Sequence, residues 1–280
     1  MRYNESGVTL IELMIVVVIS ALLTAAIYAA FISQQKSYAI QTGVTDMQQN
    51  ARAALSLMER DLRMAGYLVD DAGFTVQDFD NNNITQAITV DETGSTDKIT
   101  VVYAAQQVAK VAAVNGTQVT VSDVTAFDTA NGKQYIAFES ENKVYTISNI
   151  AGNVLTLTSP PPGHLANMRS SEATPGAWAY LVKAITYQVD RSNDPSTGQP
   201  RNTFERVTSD QFGTVPDTED LWDDIANYIT DLQIAYPYDP GTGPDNNLLH
   251  VTLTSTYTDH EGTPRTRQHE AVLNIRNIGL

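Results

Sequence analysis

The chain contains no cysteine, so no disulfide can brace its fold and no thiol can act as a nucleophile. Basic residues are scarce: 17 Lys and Arg face 32 Asp and Glu, for a net charge of −15 over 280 residues and a pI near 4.5. Phosphate recognition needs clustered cations, so this balance disfavours a nucleic-acid surface. Histidines are few, at 164, 250, 260 and 269. His260-Glu261 and His269-Glu270 hint at a zinc helix, but His-Glu-Gly-Thr-Pro lacks the second histidine. His260 and His269 flank an expected turn and read as solvated polar residues. Gly116 and Gly152 belong to turns and form no phosphate loop. No catalytic constellation is visible, and the chain is not expected to be an enzyme.

Charge and proline are also missing from Leu13 to Ile32. Twenty helical residues at about 1.5 Å each span roughly 30 Å, the thickness of a bilayer core. A cleaved secretory signal peptide and a plain membrane anchor are the simplest readings of such a run. Neither accounts for Glu12, the single carboxylate in "SGVTLIELMIVVVISALL". An ionised side chain at the centre of a membrane helix costs about 2.5–3.5 kcal/mol and is usually paired. The next twenty residues hold no cation. An α-amino group created by cutting after Gly7 would lie one helical turn from Glu12.

Gly7-Val8-Thr9-Leu10-Ile11-Glu12-Leu13 resembles the class III signal of type IV pilins and type II secretion pseudopilins. The resemblance implies that residues 1–7 are a leader and Gly7 precedes the cut. It makes Val8 the methylated new N-terminus, where most members have phenylalanine or methionine, and Glu12 the carboxylate used in assembly. Leaving lipid gains little apolar burial, so selectivity between helices rests on packing and on the Glu12–amine pair.

The helical pattern continues beyond the span. Ile40, Val44, Met47, Ala51, Leu55, Met58, Leu62 and Ala65 form one stripe, while Gln48, Gln49, Arg52, Glu59 and Arg63 form a solvated face. One helix is therefore expected from Val8 to Ala65, with Gly66 as its stop and the membrane segment at about 13–32. "QQNARAALSLMERDLRMAGY" (48–67) resembles the helix end of PilW-type minor pilins and, more loosely, of the J-type minor pseudopilin. "HEAVLNIRNIGL" resembles the last strand of the same families, with Arg276-Asn277 near its end. The resemblance implies an α+β, pilin-like fold: the long helix packed on an antiparallel sheet, with a small inserted β subdomain.

Residues 67–97 read as a linking loop with one short strand. Short β-branched runs follow at 98–104, 107–114, 118–122, 134–139, 143–150 and 154–158, giving a β subdomain over 98–160. "VAAVNGTQVTVS" (111–122) and "ISNIAGNVLTLT" (147–158) form an ungapped repeat of two hairpins, with Asn115-Gly116 as a strong turn pair. "SPPPGH" (159–164) ends the pattern. Residues 161–280 are assigned to the pilin-type sheet, with strands at 178–190, 228–238, 248–260 and 267–277. A short helix is expected from Thr218 to Ile229, where Trp222, Ile225, Ala226 and Ile229 share a face and Glu219 and Asp220 lie in the first turn. Asp78, Asp80 and Asn82 match the first three ligand positions of a calcium loop, which then fails at Asn83 and Thr89, so a polar surface loop is the default and calcium a weak candidate. The acidic group Asp217, Glu219, Asp220, Asp223 and Asp224 reads as a solvated helix start.

By resemblance, the chain is a minor pilin that primes pilus assembly at the tip. The implied partners are prepilin peptidase, other minor pilins, the major pilin, the inner-membrane assembly platform with its cytoplasmic ATPase, and the lipid bilayer. The implied location is a single-pass inner-membrane protein with its C-terminal part in the periplasm, then the pilus at the cell surface. A J-type pseudopilin and a pilus-tip adhesin are the alternatives.

Overall fold

The computed structural model describes residues 8–69, 74–78, 82–129, 133–139, 141–168, 176–209, 223–237, 248–259 and 261–275. The expected long helix is continuous: α1 (Leu10–Met64). Residues up to Asp46 form one compact unit with Tyr257–Arg265, and the remaining residues form another.

In the first unit the helix is exposed from Leu10 to Phe31, with leucine, isoleucine and valine on every side. An 18-residue window reaches a mean hydropathy of 2.7 with none of it buried, which suits lipid. Further along, Lys36 Nζ donates to Glu261 Oε1 at 3.0 Å. The turn carrying Glu261 is built by Asp259, whose Oδ1 accepts from the backbone N–H of Thr263 (2.9 Å) and Glu261 (3.0 Å). These bonds, the one from Thr263 first, hold the Asp259 carboxyl below the usual range. Gly43 is buried beneath Tyr257, and a Cβ there would run into the ring. A glycine inside a helix costs about 1 kcal/mol against alanine; here the close ring makes it necessary.

The strands, which belong to the second unit apart from residues 257–258 and 264–265, are β1 (Val76–Gln77), β2 (Asn83–Ile84), β3 (Ile88–Asp91), β4 (Lys98–Asn115), β5 (Gln118–Val121), β6 (Tyr135–Phe138) and β7 (Val144–Ala151). They continue with β8 (Val154–Leu157), β9 (Trp178–Asp190), β10 (Thr203–Thr208), β11 (Asp223–Asn227), β12 (Ile229–Ala235), β13 (Leu248–Thr258) and β14 (Pro264–Asn274). The runs expected at 98–104 and 107–114 are a single strand, β4. It bulges between Ala104 and Gln106 and between Gln107 and Ala109, which breaks the alternation that would have marked it as continuous.

Those bulges let β4 serve two layers. Its first half lies in the order β11-β10-β9-β4-β3, and its second half pairs with β5. Because β9 pairs with both β4 and β6, the circuit β4-β5-β8-β7-β6-β9 returns to β4 and closes a six-stranded antiparallel barrel. The barrel is filled by Val111, Val119, Ile136, Phe138, Ile147, Leu155 and Leu181. Leu165, on a 3₁₀ turn (Gly163–Asn167), packs into the same cluster. The repeated hairpins meet edge to edge, Val119 opposite Leu155. They share a left-handed turn glycine (φ 60° at Gly116, 57° at Gly152) and an equivalent bulge, Val111/Ala113 in one and Ile147/Asn149 in the other.

The helix stripe lies on the five-stranded part. Ala51, Ala54, Leu55, Met58, Leu62 and Ala65 share a core with Ile99, Val101, Ile185, Tyr187 and Phe204. The opposite face is buried too, with Val102, Ala104, Val182 and Ala184 under Val69, Phe74 and Val76.

Three expectations are corrected. The strands expected to form one sheet are divided, because β12, β13 and β14 make a separate three-stranded sheet. Asp97 ties this sheet to the start of β4: its N–H donates to Leu232 O (2.8 Å), and its Oδ2 accepts from Ile234 N (2.6 Å). The helix expected over 218–229 is a strand over Asp223–Asn227, and its beginning, with Trp222, lies outside the described residues. Ala226 and Ile229 both reach the core because the chain turns at Tyr228 (φ 70°), which mimics helical spacing. The described residues of 67–97 include three strands, β1 to β3, where one was expected, and β10 was not anticipated.

Candidate functional site

The helix start carries the expected assembly residues. Gly7 lies outside the described residues; Val8 is 76% exposed. Glu12 Oε2 accepts from Thr9 N (2.9 Å) and Thr9 Oγ1 (2.8 Å), and Thr9 Oγ1 accepts from Glu12 N (3.4 Å). This is a capping box, which satisfies helix-end N–H groups reciprocally. The signal Thr9-x-x-Glu12 was present in the sequence, and reading Glu12 only as a charge seeking an amine missed it. The carboxylate thus has partners within its own chain, and Oε1 takes no part in the cap.

A second polar centre, also missed, is Asp61. It is 1% exposed and sits on the helix face packed against the sheet. Its Oδ2 accepts from Tyr187 Oη (2.7 Å) and Arg206 Nε (3.3 Å), and its Oδ1 from Tyr103 Oη (3.1 Å) and Arg60 Nε (3.4 Å). One carboxylate therefore binds α1 to β4, β9 and β10. Burial first, and the Asp61 charge second, push both phenols far above their ordinary range, so they stay protonated donors. An aspartate between basic residues in "MERDLR" looks like helix surface; only the three distant partners reveal its role.

The calcium candidates are placed as follows. Asp78 is buried, with Oδ1 accepting from Asn82 N (2.8 Å) and Oδ2 from Asn82 Nδ2 (3.2 Å), so its carboxylate is engaged beside β1 and β2. Asp80 lies outside the described residues. Among the described residues no group of three His, Asp or Glu is arranged to hold a metal. Of the acidic group, Asp223 and Asp224 are exposed on β11. His164 faces Glu141 (3.6 Å) and His250 faces Glu270 (3.7 Å). His269 Nε2 meets Ser255 Oγ at 3.3 Å, and burial followed by the Arg52 charge lowers its pKa. Ser255 is fully buried, which suits a cross-strand bond and not a nucleophile.

Neither a curated protein nor a solved structure matches the chain. Residues 2–28 match the family described as "Prokaryotic N-terminal methylation motif". With the apolar helix that follows, this motif indicates membrane anchoring and pilin-type assembly. The chain carries the prepilin-type signal of type IV pilin and pseudopilin precursors, structural subunits processed by prepilin peptidase.

Proposed function

We propose that the protein is a minor type IV pilin of the PilW kind, joined to the tip of a pilus to prime its assembly. The observation that carries this reading is the methylation motif running directly into a helix that is apolar and exposed in its first half and packed on a sheet in its second. Prepilin peptidase cuts after Gly7 and methylates Val8, and the β-rich part stands in the periplasm. The inner-membrane assembly platform then moves the helix from lipid into a bundle of other minor pilins and the major pilin. There Glu12 meets the amine of a neighbouring subunit, exchanging its Thr9 cap for a charge pair. More than 200 residues follow the helix, a bulk that suits few copies at the tip better than a repeating shaft.

Mass spectrometry of the membrane fraction tests this. The mature chain should begin at methylated Val8, and Gly7→Glu should leave the precursor whole. A mature chain starting at Thr9 or later, or an uncut wild type, overturns the reading. In the same strains, Glu12→Gln should keep membrane insertion and lower the recovery of the minor-subunit complex; equal recovery removes Glu12 from assembly.

A further inference from the structure

The three-stranded sheet has Asp97 bonded to β12 on one side, and among the described residues no strand pairs with β14 on the other. Asp259 N donates to Thr263 O (3.1 Å), and Thr256 Oγ1 meets Thr266 Oγ1 at 3.1 Å. Thr256 therefore stands opposite Thr266, and the bonded pairs fall on the odd-numbered residues of β14. The backbone N–H and C=O of Thr266, Gln268 and Glu270 point away from β13. Pro264, in the same outward series, blunts only the start of the strand. The side chains divide in the same way: Ala271 and Leu273 turn to the core, while Thr266, Gln268, Glu270 and Val272 are exposed. Val272 is 54% exposed, more than any other large apolar side chain described after Tyr38.

The same edge gathers cations in a chain short of them: residues 264–280 hold three arginines and one glutamate. Arg267 shares a face of β14 with His269, and Ser255 Oγ reaches both Arg267 O (3.4 Å) and His269 Nε2 (3.3 Å). Burial, then the charge of Arg52 on α1, hold the His269 imidazole below its ordinary range, which places Arg52 beside that face. Arg52 and Arg267 are exposed, and among the described residues neither guanidinium has a carboxylate partner. Glu270, on the opposite face, turns to His250 at 3.7 Å. The acidic balance of the rest of the chain is screened beyond about 8 Å at physiological salt, so the local arginines decide what this edge attracts. We propose that β14 accepts an extended acidic segment of another polypeptide as an antiparallel additional strand. Its acidic side chains lie on the face of Arg267 and Arg52, and its apolar ones lie beside Val272. The outward groups recur every second residue, the spacing of a strand's own donors and acceptors. Charge that deters pairing with a like strand attracts an acidic one. The proposal is independent of Glu12 and of the methylation motif.

The detergent-solubilised full chain is titrated into a fluorescein-labelled octapeptide of alternating glutamate and valine, with a lysine–valine octapeptide as control. Anisotropy should rise with the glutamate peptide alone, and amide exchange should slow at Gln268 and Glu270. In an antiparallel strand with its glutamates beside Arg267, the valine N–H groups face β14. N-methylation of the valines should therefore weaken binding about tenfold, and N-methylation of the glutamates should change it little. Arg267→Gln, an exposed substitution that leaves the circular dichroism spectrum intact, should weaken binding severalfold at physiological salt and make no difference at about 1 M salt. Unchanged exchange at Gln268 and Glu270 in the wild type overturns the proposal, whatever the variants do. Equal binding by all three glutamate peptides, the mark of charge attraction alone, overturns it too, as does the reverse order of the two methylated ones. So does a response of the same amides to inorganic phosphate with none to the peptide.

Discussion

Removing Asp61 should be the most damaging single change outside the apolar core. Its carboxylate takes hydrogen bonds from two buried tyrosines and from Arg206, whose side chain is itself only 19% exposed. Asp61→Ala leaves two phenols and a guanidinium without their acceptor. Breaking a buried pair from one side costs about 3–5 kcal/mol, and the lower half of that range applies because Arg206 also reaches Asp223 at 3.9 Å. Tyr187→Phe removes one charge-assisted bond of 2.7 Å and should cost about 1.5–3 kcal/mol. Tyr103→Phe, with a 3.1 Å bond, should fall at or below the bottom of that range. Arg60 lies 69% exposed, so Arg60→Ala should stay within about 0–1 kcal/mol. Urea unfolding of the detergent-solubilised chain, followed by near-ultraviolet circular dichroism, gives the series. The order Asp61→Ala, Tyr187→Phe, Tyr103→Phe, Arg60→Ala is the signature of a carboxylate hub. Asp61→Ala losing less than Tyr187→Phe, or the two losses adding independently in the double variant, would refute it.

Glu205 supplies a pH dependence. It is 4% exposed on β10, bonded to Gln188 and facing Asp190, Asp224 and Arg201, and burial before all else raises its pKa from 4.5 to about 7. Between those values the folded chain keeps a proton that the unfolded chain has lost. Its contribution to stability is therefore best below pH 4.5 and falls by about 1–2 kcal/mol as pH rises through 7, a loss Glu205→Gln should abolish in urea titrations at pH 5 and pH 8. Gly43→Ala, normally stabilising in a helix by about 1 kcal/mol, should here lower the thermal midpoint, and Tyr257→Ala should restore the ordinary sign. A higher midpoint for Gly43→Ala alone would show that the ring does not press on the helix.

The sequence by itself determined what depends on neighbours within a few turns or one hairpin. The uncharged run and its i, i+3, i+4 stripe specify α1, since helical hydrogen bonds and amphipathic period are local. The Asn115-Gly116 turn and its repeat at Gly152 specify two hairpins, because a left-handed residue there admits few alternatives. The Thr9-Glu12 cap was equally local and legible. Tertiary structure decided everything that turns on which distant strands meet. Closure of the barrel needs β9 to bond β4 and β6 at once, and the separate sheet β12–β14 is held to the start of β4 through Asp97. The 218–229 pattern misled because a reversal at Tyr228 places Ala226 and Ile229 on the same core, as a helix would. Asp61 became a hub only when residues 42, 126 and 145 positions away came to surround it. Side-chain period records which face a residue turns inward; the partner on the other side is set by packing across the whole chain.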